Sequence, residues 1–438
     1  MAEVITKAKN AYQIQFSLAY LDEMSRRAFD IGNANNLLLQ LRLSGSRSKS
    51  HYRVSQFCVH LDHPSTSTSH RRFRVSSGQN PPDAHLCGPQ SDRMTYQLSR
   101  HLWRHFRDNP EQTLESIHQT VDDALKKLST ICIVCGTFTG LHMLRPKTCS
   151  KICSIQFRQA GLGVRVSDLN TDPVVTDLLL TSIGAAASHK SWTSLCPGMP
   201  VSDPMAVIEL VKNIPALHSL TGSDLRTTVG RLDVKQQALI AYTSTKHRGF
   251  LMSAPENMLI PKLNNIQQFL FVDASREKEA EFAQTLAGGS KSPEEPHIVF
   301  HGTSVDRLYA ILRDGLKVCS GTPFQRNGAA SGKGIYTSTH PSTAAGYATQ
   351  YFPTGNRSGN GAFKAMRIIL GCELANKSRF ARAGELFLVT DESCLMVRFV
   401  FVLDAGATLP IASILAPEIV KRIAIMRSIK GIRLGSAK

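Results

Sequence analysis

A segment rich in glycine, serine and proline, GGSKSPEEP at residues 288–296, divides the sequence into two parts with different patterns of apolar residues. Its composition is typical of a linker. Ahead of it, apolar residues recur mostly at the three- and four-residue spacing of a helix. After it come the runs HIVF, MRIILGCEL, ELFLVTD and LMVRFVFVLD, whose β-branched and aromatic residues indicate strands. The chain is therefore predicted to be a multi-domain α+β protein in which a mixed β-sheet domain follows a helical domain.

At 438 residues the chain is long enough for several units of about 100–200 residues each. Patterning predicts a basic, partly ordered N-terminal region (1–108), in which His51–Leu61 alternates like a strand. It also predicts a helix followed by a small cysteine module (109–165), and a helical domain (166–290). The mixed sheet occupies 291–408, and a basic amphipathic tail follows it (409–438). Helices are predicted to start at three pairs in which an Asn or Asp cap precedes a proline: Asn109-Pro110, Asp172-Pro173 and Asp203-Pro204.

The sequence is strongly basic: 51 Lys and Arg against 34 Asp and Glu give a formal charge of +17. This balance favours anionic partners such as nucleic acid, nucleotide phosphates or acidic proteins, without choosing among them. Arg71, Arg72 and Arg74 around Phe73 form a candidate nucleic-acid contact, with a solvated basic loop as the alternative. Two interpretations likewise apply to the tail: it is either a core helix with a basic solvent face or a helix that lies on an anionic membrane.

The first residues lack a basic flank followed by an apolar core and a cleavage site, and no stretch reaches about 18 apolar residues without charge. We therefore expect neither a secretory signal nor a transmembrane segment. Ten cysteines in such a chain favour free thiols and metal binding over a disulfide framework. The expected location is inside the cell, in the cytoplasm or the nucleus.

Four of the cysteines lie close together in the sequence, as the pairs Cys132 with Cys135 and Cys149 with Cys153. Two close pairs separated by a loop suit a tetrahedral zinc ion, with Zn–S distances of about 2.3 Å. Because four thiolates leave no open coordination position, the predicted role is structural. Four unrelated thiols are the alternative, and similar spacing also occurs in zinc ribbons that bind nucleic acid.

His301 and Gly302 follow the apolar run IVF and precede a helical pattern. At a strand end, a glycine lets a flat ligand approach the backbone, while a histidine offers a ring nitrogen to a hydroxyl. Tyr336 follows the Gly-Lys-Gly segment 332–334, and Tyr347 lies in a helix opened by a proline. Two such phenol rings can sandwich an aromatic ligand, although each feature taken alone is better explained by a turn or by core or surface tyrosines.

In this order, the segments FHGTSVDRLYAILRDGLKV and GKGIYTSTHPSTAAGYA resemble the catalytic domain of the poly(ADP-ribose) polymerase family, specifically its mono-ADP-ribosyltransferase branch. The upstream helices and the cysteine cluster are similar to those of a small divergent subgroup. The resemblance implies an ADP-ribosyltransferase fold for the predicted sheet domain and NAD⁺ as its substrate. It also implies that His301 and Thr303 bind the adenosine ribose, that the Gly302 backbone holds the nicotinamide amide, and that Tyr336 and Tyr347 stack on the nicotinamide ring.

Lys317 takes a place where the resemblance implies a contact with ribose or phosphate. Two other positions depart from the family pattern. Ala344 replaces the serine that often bonds the nicotinamide amide, a loss of one hydrogen bond worth about 0.5–1.5 kcal/mol. Leu386 stands where the family has its catalytic glutamate, so no carboxylate there anchors the ribose hydroxyl needed for chain elongation. Glu385 is adjacent, but on a strand it is expected to point to the opposite face.

These features support three hypotheses. In the first, the chain transfers a single ADP-ribose to a protein acceptor or to itself, with His301, Tyr336 and Leu386 at the catalytic positions. In the second, it is a pseudoenzyme that binds NAD⁺ or ADP-ribose without turnover and acts as an interaction module. In the third, it is a zinc-based nucleic-acid-binding protein that carries the transferase domain as an effector.

Overall fold

The computed structural model forms two compact units, Met1–Ser167 and Asp168–Lys438. Arg71, Arg72 and most of the 288–296 segment lie outside the residues that the structure describes. The described residues are 2–8, 11–29, 31–44, 51–62, 73–75, 93–140, 143–145, 148–150, 152–153, 172–220, 222–246, 249–263, 265–288, 296–322, 332–355 and 363–430.

The first unit contains an antiparallel sheet flanked by helices. Its strands follow the order β1-β2-β3-β4-β5, and a short β6 pairs with the start of β4. The strands are β1 (Ala2–Ala8), β2 (Ala11–Ser17), β3 (Asn36–Ser44), β4 (Tyr52–Leu61), β5 (Phe73–Arg74) and β6 (Glu111–Gln112). The helices are α1 (Glu23–Ala28), α2 (Arg93–Asp108) and α3 (Leu114–Lys127).

This N-terminal sheet lies within the region 1–108, which was predicted to be basic and partly ordered. Every second residue of β3 from Leu37 to Leu43 is a buried leucine, whereas Arg42 between them is exposed. This alternation covers one face of the sheet with apolar side chains. Phe57 of β4 packs edge-on against Phe106 of α2, with ring centroids 5.4 Å apart. The predicted strand at His51–Leu61 is confirmed as β4, whereas basic, serine-rich connections hid the pattern of the other short strands.

Helix α3 begins later than predicted, because Pro110 precedes β6 instead of opening the helix. Thr113 is the N-cap residue. Ser116 N donates to Thr113 Oγ1 and Thr113 N donates to Ser116 Oγ, each at 3.0 Å. This reciprocal capping box satisfies two N–H groups at once, which fixes the start at Leu114.

The second unit contains a larger antiparallel sheet with the strand order β12-β13-β10-β9-β11-β14-β8-β7. β9 therefore lies near the middle of the sheet and β12 at one edge. The strands are β7 (Phe250–Ser253), β8 (Ile266–Asp273), β9 (His297–Thr303), β10 (Ile335–Ser338), β11 (Arg367–Leu374), β12 (Ala381–Ala383), β13 (Leu386–Val389) and β14 (Leu395–Leu403).

Helix α4 is the central helix of this unit, since almost all of its residues are buried. Ser182 Oγ donates to Val305 O at 2.7 Å and so ties α4 to α10. The predicted helix starts at Asp172 and Asp203 are confirmed, as both carboxylates accept first-turn N–H groups. The helices are α4 (Pro173–Ala187), α5 (Trp192–Leu195), α6 (Pro204–Asn213), α7 (Gly222–Arg231), α8 (Val234–Lys246), α9 (Arg276–Gly288), α10 (Val305–Asp314), α11 (Pro341–Tyr347) and α12 (Ala412–Ile429).

Strands β7 and β8 add two strands to the segment 166–290, which was predicted to be a helical domain. Both belong to the large sheet, where β8 pairs with β14 and carries β7 on its outer side. Seven of the eight residues of β8 are buried. A strand buried on both faces has a continuous apolar run without alternation, which periodicity alone does not separate from a buried helix.

The tail predicted at 409–438 is largely helix α12, and its described basic residues are divided: Lys421 is exposed, whereas Arg422 and Lys430 are buried. Leu415, Ile419 and Ile423 are buried against the unit. Arg422 is buried as well and donates to the carbonyls of Met258 and Leu259. The guanidinium thus satisfies backbone acceptors within the core. Among the described helices, none combines the length and apolar character that crossing a membrane requires.

Candidate functional site

His301 lies on β9 and contacts the second predicted motif directly. Its Nδ1 is 2.9 Å from the carbonyl oxygen of Tyr336 on β10. Because a carbonyl only accepts, Nδ1 must carry the proton, which leaves the Nε2 lone pair to accept from a hydroxyl. Burial lowers the pKa of His301, although the hydrogen bond to Tyr336 opposes this. The ring is therefore neutral at physiological pH, in the tautomer that suits a ribose hydroxyl.

Gly302 is a point of close approach between β9 and α11. A Cβ built on Gly302 lies 1.8 Å from the carbonyl oxygen of Ala344 and 3.0 Å from the amide nitrogen of Ala348. Both are backbone atoms, which cannot rotate away. A glycine at this position was expected to let a ligand approach the backbone, and it also lets the helix that carries Tyr347 approach β9.

The two tyrosines lie on different elements, β10 and α11. Tyr336 lies on β10, and its hydroxyl donates to the carbonyl of Gly332 at 2.8 Å. Tyr347 is the last residue of α11, with 47% of its surface exposed. Thr303 is buried at the end of β9, opposite Ile368. The structure thus brings His301 and Tyr336 together and places α11, which ends at Tyr347, against Gly302. Stacking of the two rings on nicotinamide stays a prediction.

Lys317 is paired with an acidic residue of the same unit. Its Nζ lies 2.6 Å from Glu392 Oε2, and the neighbouring Val318 N donates to Glu392 Oε1 at 2.7 Å. Burial acts to lower the pKa of Lys317, but the opposing effect of the Glu392 carboxylate is larger. The pKa of Lys317 is therefore raised overall. A contact between Lys317 and a phosphate stays a prediction, and it would have to compete with this ion pair.

Leu386 opens β13 and lies directly opposite Ser338 of β10. Its side chain is half-buried, and no carboxylate occupies that position. The preceding Glu385 turns towards α11, where its carboxylate contacts His340 and Thr343. Sequence reasoning did not select His340 or Thr343, because only the pairing of β10 with β13 places them beside Glu385.

The four clustered cysteines of the first unit meet as predicted from their spacing. All four sulfur atoms of Cys132, Cys135, Cys149 and Cys153 lie within 4.8 Å of one another. The loop between the first two is a tight turn in which Gly136 N donates to Cys132 O at 2.9 Å. Gly136 has a φ of +74°, a conformation that glycine adopts without strain.

The surroundings of this cluster also fit a metal bound by thiolates. Cys149 N is 3.3 Å from Cys132 Sγ, an N–H donor aimed at a sulfur. Arg100 and Arg104 of α2 both donate to the carbonyl of Val134, at 2.8 Å each, and hold the turn in place. The soft four-sulfur donor set and its size suit Zn²⁺ in a closed, structural site.

Comparison with known proteins adds independent evidence. Residues 258–383 match the family model of the poly(ADP-ribose) polymerase catalytic domain. The matched range includes His301, Gly302, Tyr336 and Tyr347 and ends before Leu386. The chain is also similar to protein mono-ADP-ribosyltransferase PARP8 of Homo sapiens and of Mus musculus. Each is 26% identical over 344 residues, which cover 67% of this chain and 39% of the relative. The alignment therefore spans less than half of the length of these relatives.

Proposed function

We propose, from the match of residues 258–383 to the poly(ADP-ribose) polymerase catalytic domain, that the chain is an NAD⁺-dependent mono-ADP-ribosyltransferase. The observation that carries the proposal is the bond from His301 Nδ1 to the Tyr336 carbonyl. It fixes the two motifs to each other and leaves Nε2 as an acceptor for the adenosine ribose.

In the proposed reaction, bound NAD⁺ loses nicotinamide through an oxocarbenium-like state, and an acceptor side chain then forms a bond to the anomeric carbon. The backbone of Gly302 would hold the nicotinamide amide, and Tyr336 and Tyr347 would stack on its ring. Nicotinamide leaves as a neutral molecule from a cationic precursor, which makes it a good leaving group. Positioning can therefore supply much of the catalysis. Proteins, including the chain itself, are the proposed acceptors.

Transfer of a single unit is proposed because Leu386 provides no carboxylate for chain elongation. The same residue favours a second candidate function, a pseudoenzyme that binds NAD⁺ without turnover. Ala344, which is buried and lacks the serine hydroxyl, points in the same direction. The two functions differ in whether label from NAD⁺ becomes covalently attached.

The test is incubation of the chain with NAD⁺ labelled in the ADP-ribose moiety, alongside equilibrium binding of NAD⁺. We expect the wild type to label itself or added protein, and His301→Ala and Tyr336→Ala to lose at least about 100-fold in rate. Binding without labelling in the wild type would establish the pseudoenzyme. Absence of both would refute the nucleotide site altogether.

We also infer that the four cysteines bind one structural zinc ion, which supplies folding energy to the first unit and no chemistry. Cys132→Ser should lose the zinc and lower the thermal stability of that unit. Cys319→Ser, which changes a half-buried thiol of the second unit, serves as the control and should retain full zinc content. Equal zinc content in the wild type and Cys132→Ser, measured by atomic absorption, would refute the site.

A further inference from the structure

Three side chains that the proposed NAD⁺ site does not use meet where β13 approaches α11. His340 Nδ1 lies 2.9 Å from Glu385 Oε2. Thr343 Oγ1 donates to the other carboxylate oxygen, Oε1. The backbones are joined here as well, since Thr339 N donates to Glu385 O at 2.9 Å. The carboxylate is therefore held from two sides, with an imidazole on one and a hydroxyl on the other.

The cluster lies close to the proposed nicotinamide site. Thr343 and Tyr347 are four residues apart on α11 and so lie on the same face, about 5–6 Å apart at Cβ. Glu385 directly precedes Leu386, the position where the resemblance implied a carboxylate. The carboxylate is thus displaced by one residue along the chain and faces the helix that ends at Tyr347.

The orientation of His340 leaves one ring nitrogen available. Among the described residues, its polar contacts are with Glu385 and with Thr339 Oγ1, at 2.9 and 3.1 Å, and both involve Nδ1. Half of the imidazole side chain is exposed. A carboxylate that accepts from Nδ1–H fixes the tautomer in which Nε2 carries the lone pair, as in histidine bases oriented by an acidic residue.

We propose that His340 is the general base that deprotonates the acceptor, and that Glu385 is its positioning residue. This inference rests on the proposed transferase function. The C–N bond between the ribose and nicotinamide breaks, and its electron pair neutralises the pyridinium. The acceptor oxygen forms a bond to the anomeric carbon, and its proton moves to His340 Nε2 and then to solvent.

The proposal also specifies the acceptor class. A carboxylate acceptor carries no proton at neutral pH and gains nothing from a base. A hydroxyl acceptor must lose its proton as the new bond forms, and an imidazole within hydrogen-bond reach accelerates this by about 100- to 10,000-fold. The proposed acceptor is therefore the hydroxyl of a serine, threonine or tyrosine side chain, as opposed to a carboxylate. The linkage to such a residue resists neutral hydroxylamine, whereas an ester to Asp or Glu is cleaved.

The test compares four variants of the full chain with the wild type: His340→Ala, His340→Gln, Glu385→Gln and the control Ser342→Ala. Ser342 is an exposed residue of the same helical turn. We expect kcat for labelling to fall about 100-fold in both His340 variants and about tenfold in Glu385→Gln, with KM for NAD⁺ within about twofold of the wild type. Added imidazole should restore at least about tenfold activity to His340→Ala. The wild-type label should withstand hydroxylamine.

An unlabelled wild type would overturn the proposed transferase function itself. A labelled wild type with an unaffected His340→Ala would overturn the general base alone. If the loss of kcat in His340→Ala is accompanied by a rise in KM for NAD⁺ and is not rescued by imidazole, His340 has only a structural role. Release of the label by hydroxylamine would refute the hydroxyl acceptor.

Discussion

The two halves of the proposed site occupy different parts of one sheet. His301 and Gly302 lie on β9, which is paired on both sides near the middle of the sheet, beside the fully buried Phe300. Leu386 lies on β13, one strand from the edge, and every residue of the edge strand β12 is exposed. Substitutions in the middle must therefore disturb packing as well as binding, whereas substitutions at the edge can change chemistry and leave the fold intact.

The largest effect is expected for Gly302→Ala, in the middle of the sheet. The new Cβ would lie 1.8 Å from the Ala344 carbonyl, so β9 and α11 must separate. We expect a loss of about 3 kcal/mol in the free energy of unfolding and at least about 100-fold in NAD⁺ affinity. Denaturant unfolding measures the change in the free energy of unfolding, and equilibrium binding measures the change in NAD⁺ affinity.

Gly346→Ala on α11 is the matched control, because a Cβ there has no atom within 4 Å. It should keep wild-type stability or gain slightly, since alanine favours a helix more than glycine does. Equal stability of Gly302→Ala and Gly346→Ala would contradict the assignment of Gly302 to helix packing.

The second prediction concerns a buried ion network behind the middle strands. Arg398 of β14 contacts Glu373 Oε2 of β11 and Glu279 Oε1 of α9, each at 2.7 Å. Burial alone raises the pKa of Glu279, but the charges of Arg398 and Lys430 outweigh it and lower the pKa from 4.5 to about 2. Since the folded pKa lies below the unfolded one, the stabilisation is present above about pH 4.5 and disappears as the pH falls towards 2.

Glu279→Gln should therefore lose roughly 3 kcal/mol of unfolding free energy at pH 7 and much less at pH 3. Urea unfolding at the two pH values measures the difference between variant and wild type. Glu281→Gln is the control, because that carboxylate is about half exposed and pairs with Lys278 on the same helix. A constant difference between Glu279→Gln and wild type at both pH values would show that the network does not set the acid sensitivity.

Local chemistry predicted much of the fold correctly. The Asp-Pro pairs fixed the starts of α4 and α6, and the spacing of four cysteines anticipated their convergence. Each of these signals acts over a few residues, or over one short loop. Such interactions can be predicted from a sequence because the partner groups are close along the chain.

Long-range pairing accounts for what the sequence did not reveal. Arg422 looked like part of a basic solvent face, but its carbonyl acceptors on Met258 and Leu259 are more than 160 residues away. The contact of Glu385 with His340 likewise depends on the register of β10 and β13. Neither partner is marked by local pattern, since strand register is set by tertiary packing.

A smaller effect is expected at the edge, where Leu386→Glu would place a carboxylate opposite Ser338. If this carboxylate reaches the nicotinamide ribose, a charge-assisted hydrogen bond worth about 1.5–3 kcal/mol should raise labelling by about 10- to 100-fold. Leu386→Gln is the matched neutral control and should gain little. Denaturing gels would show whether products lengthen. Equal rates for the two variants would indicate that charge at this position does not limit transfer.

The smallest effect is expected for Lys317→Gln, beyond the end of α10. Its ammonium must leave Glu392 to reach a phosphate, so one contact replaces another and the net gain from binding is small. Partly exposed ion pairs contribute about 0–1 kcal/mol, which limits the expected rise in KM for NAD⁺ to about fivefold. Lys421→Gln on the exposed side of α12 removes the same charge at a distance and should leave KM unchanged. A rise much above fivefold would mean that Lys317 is preorganised for the nucleotide despite Glu392, and the binding half of the site would then extend beyond the middle of the sheet.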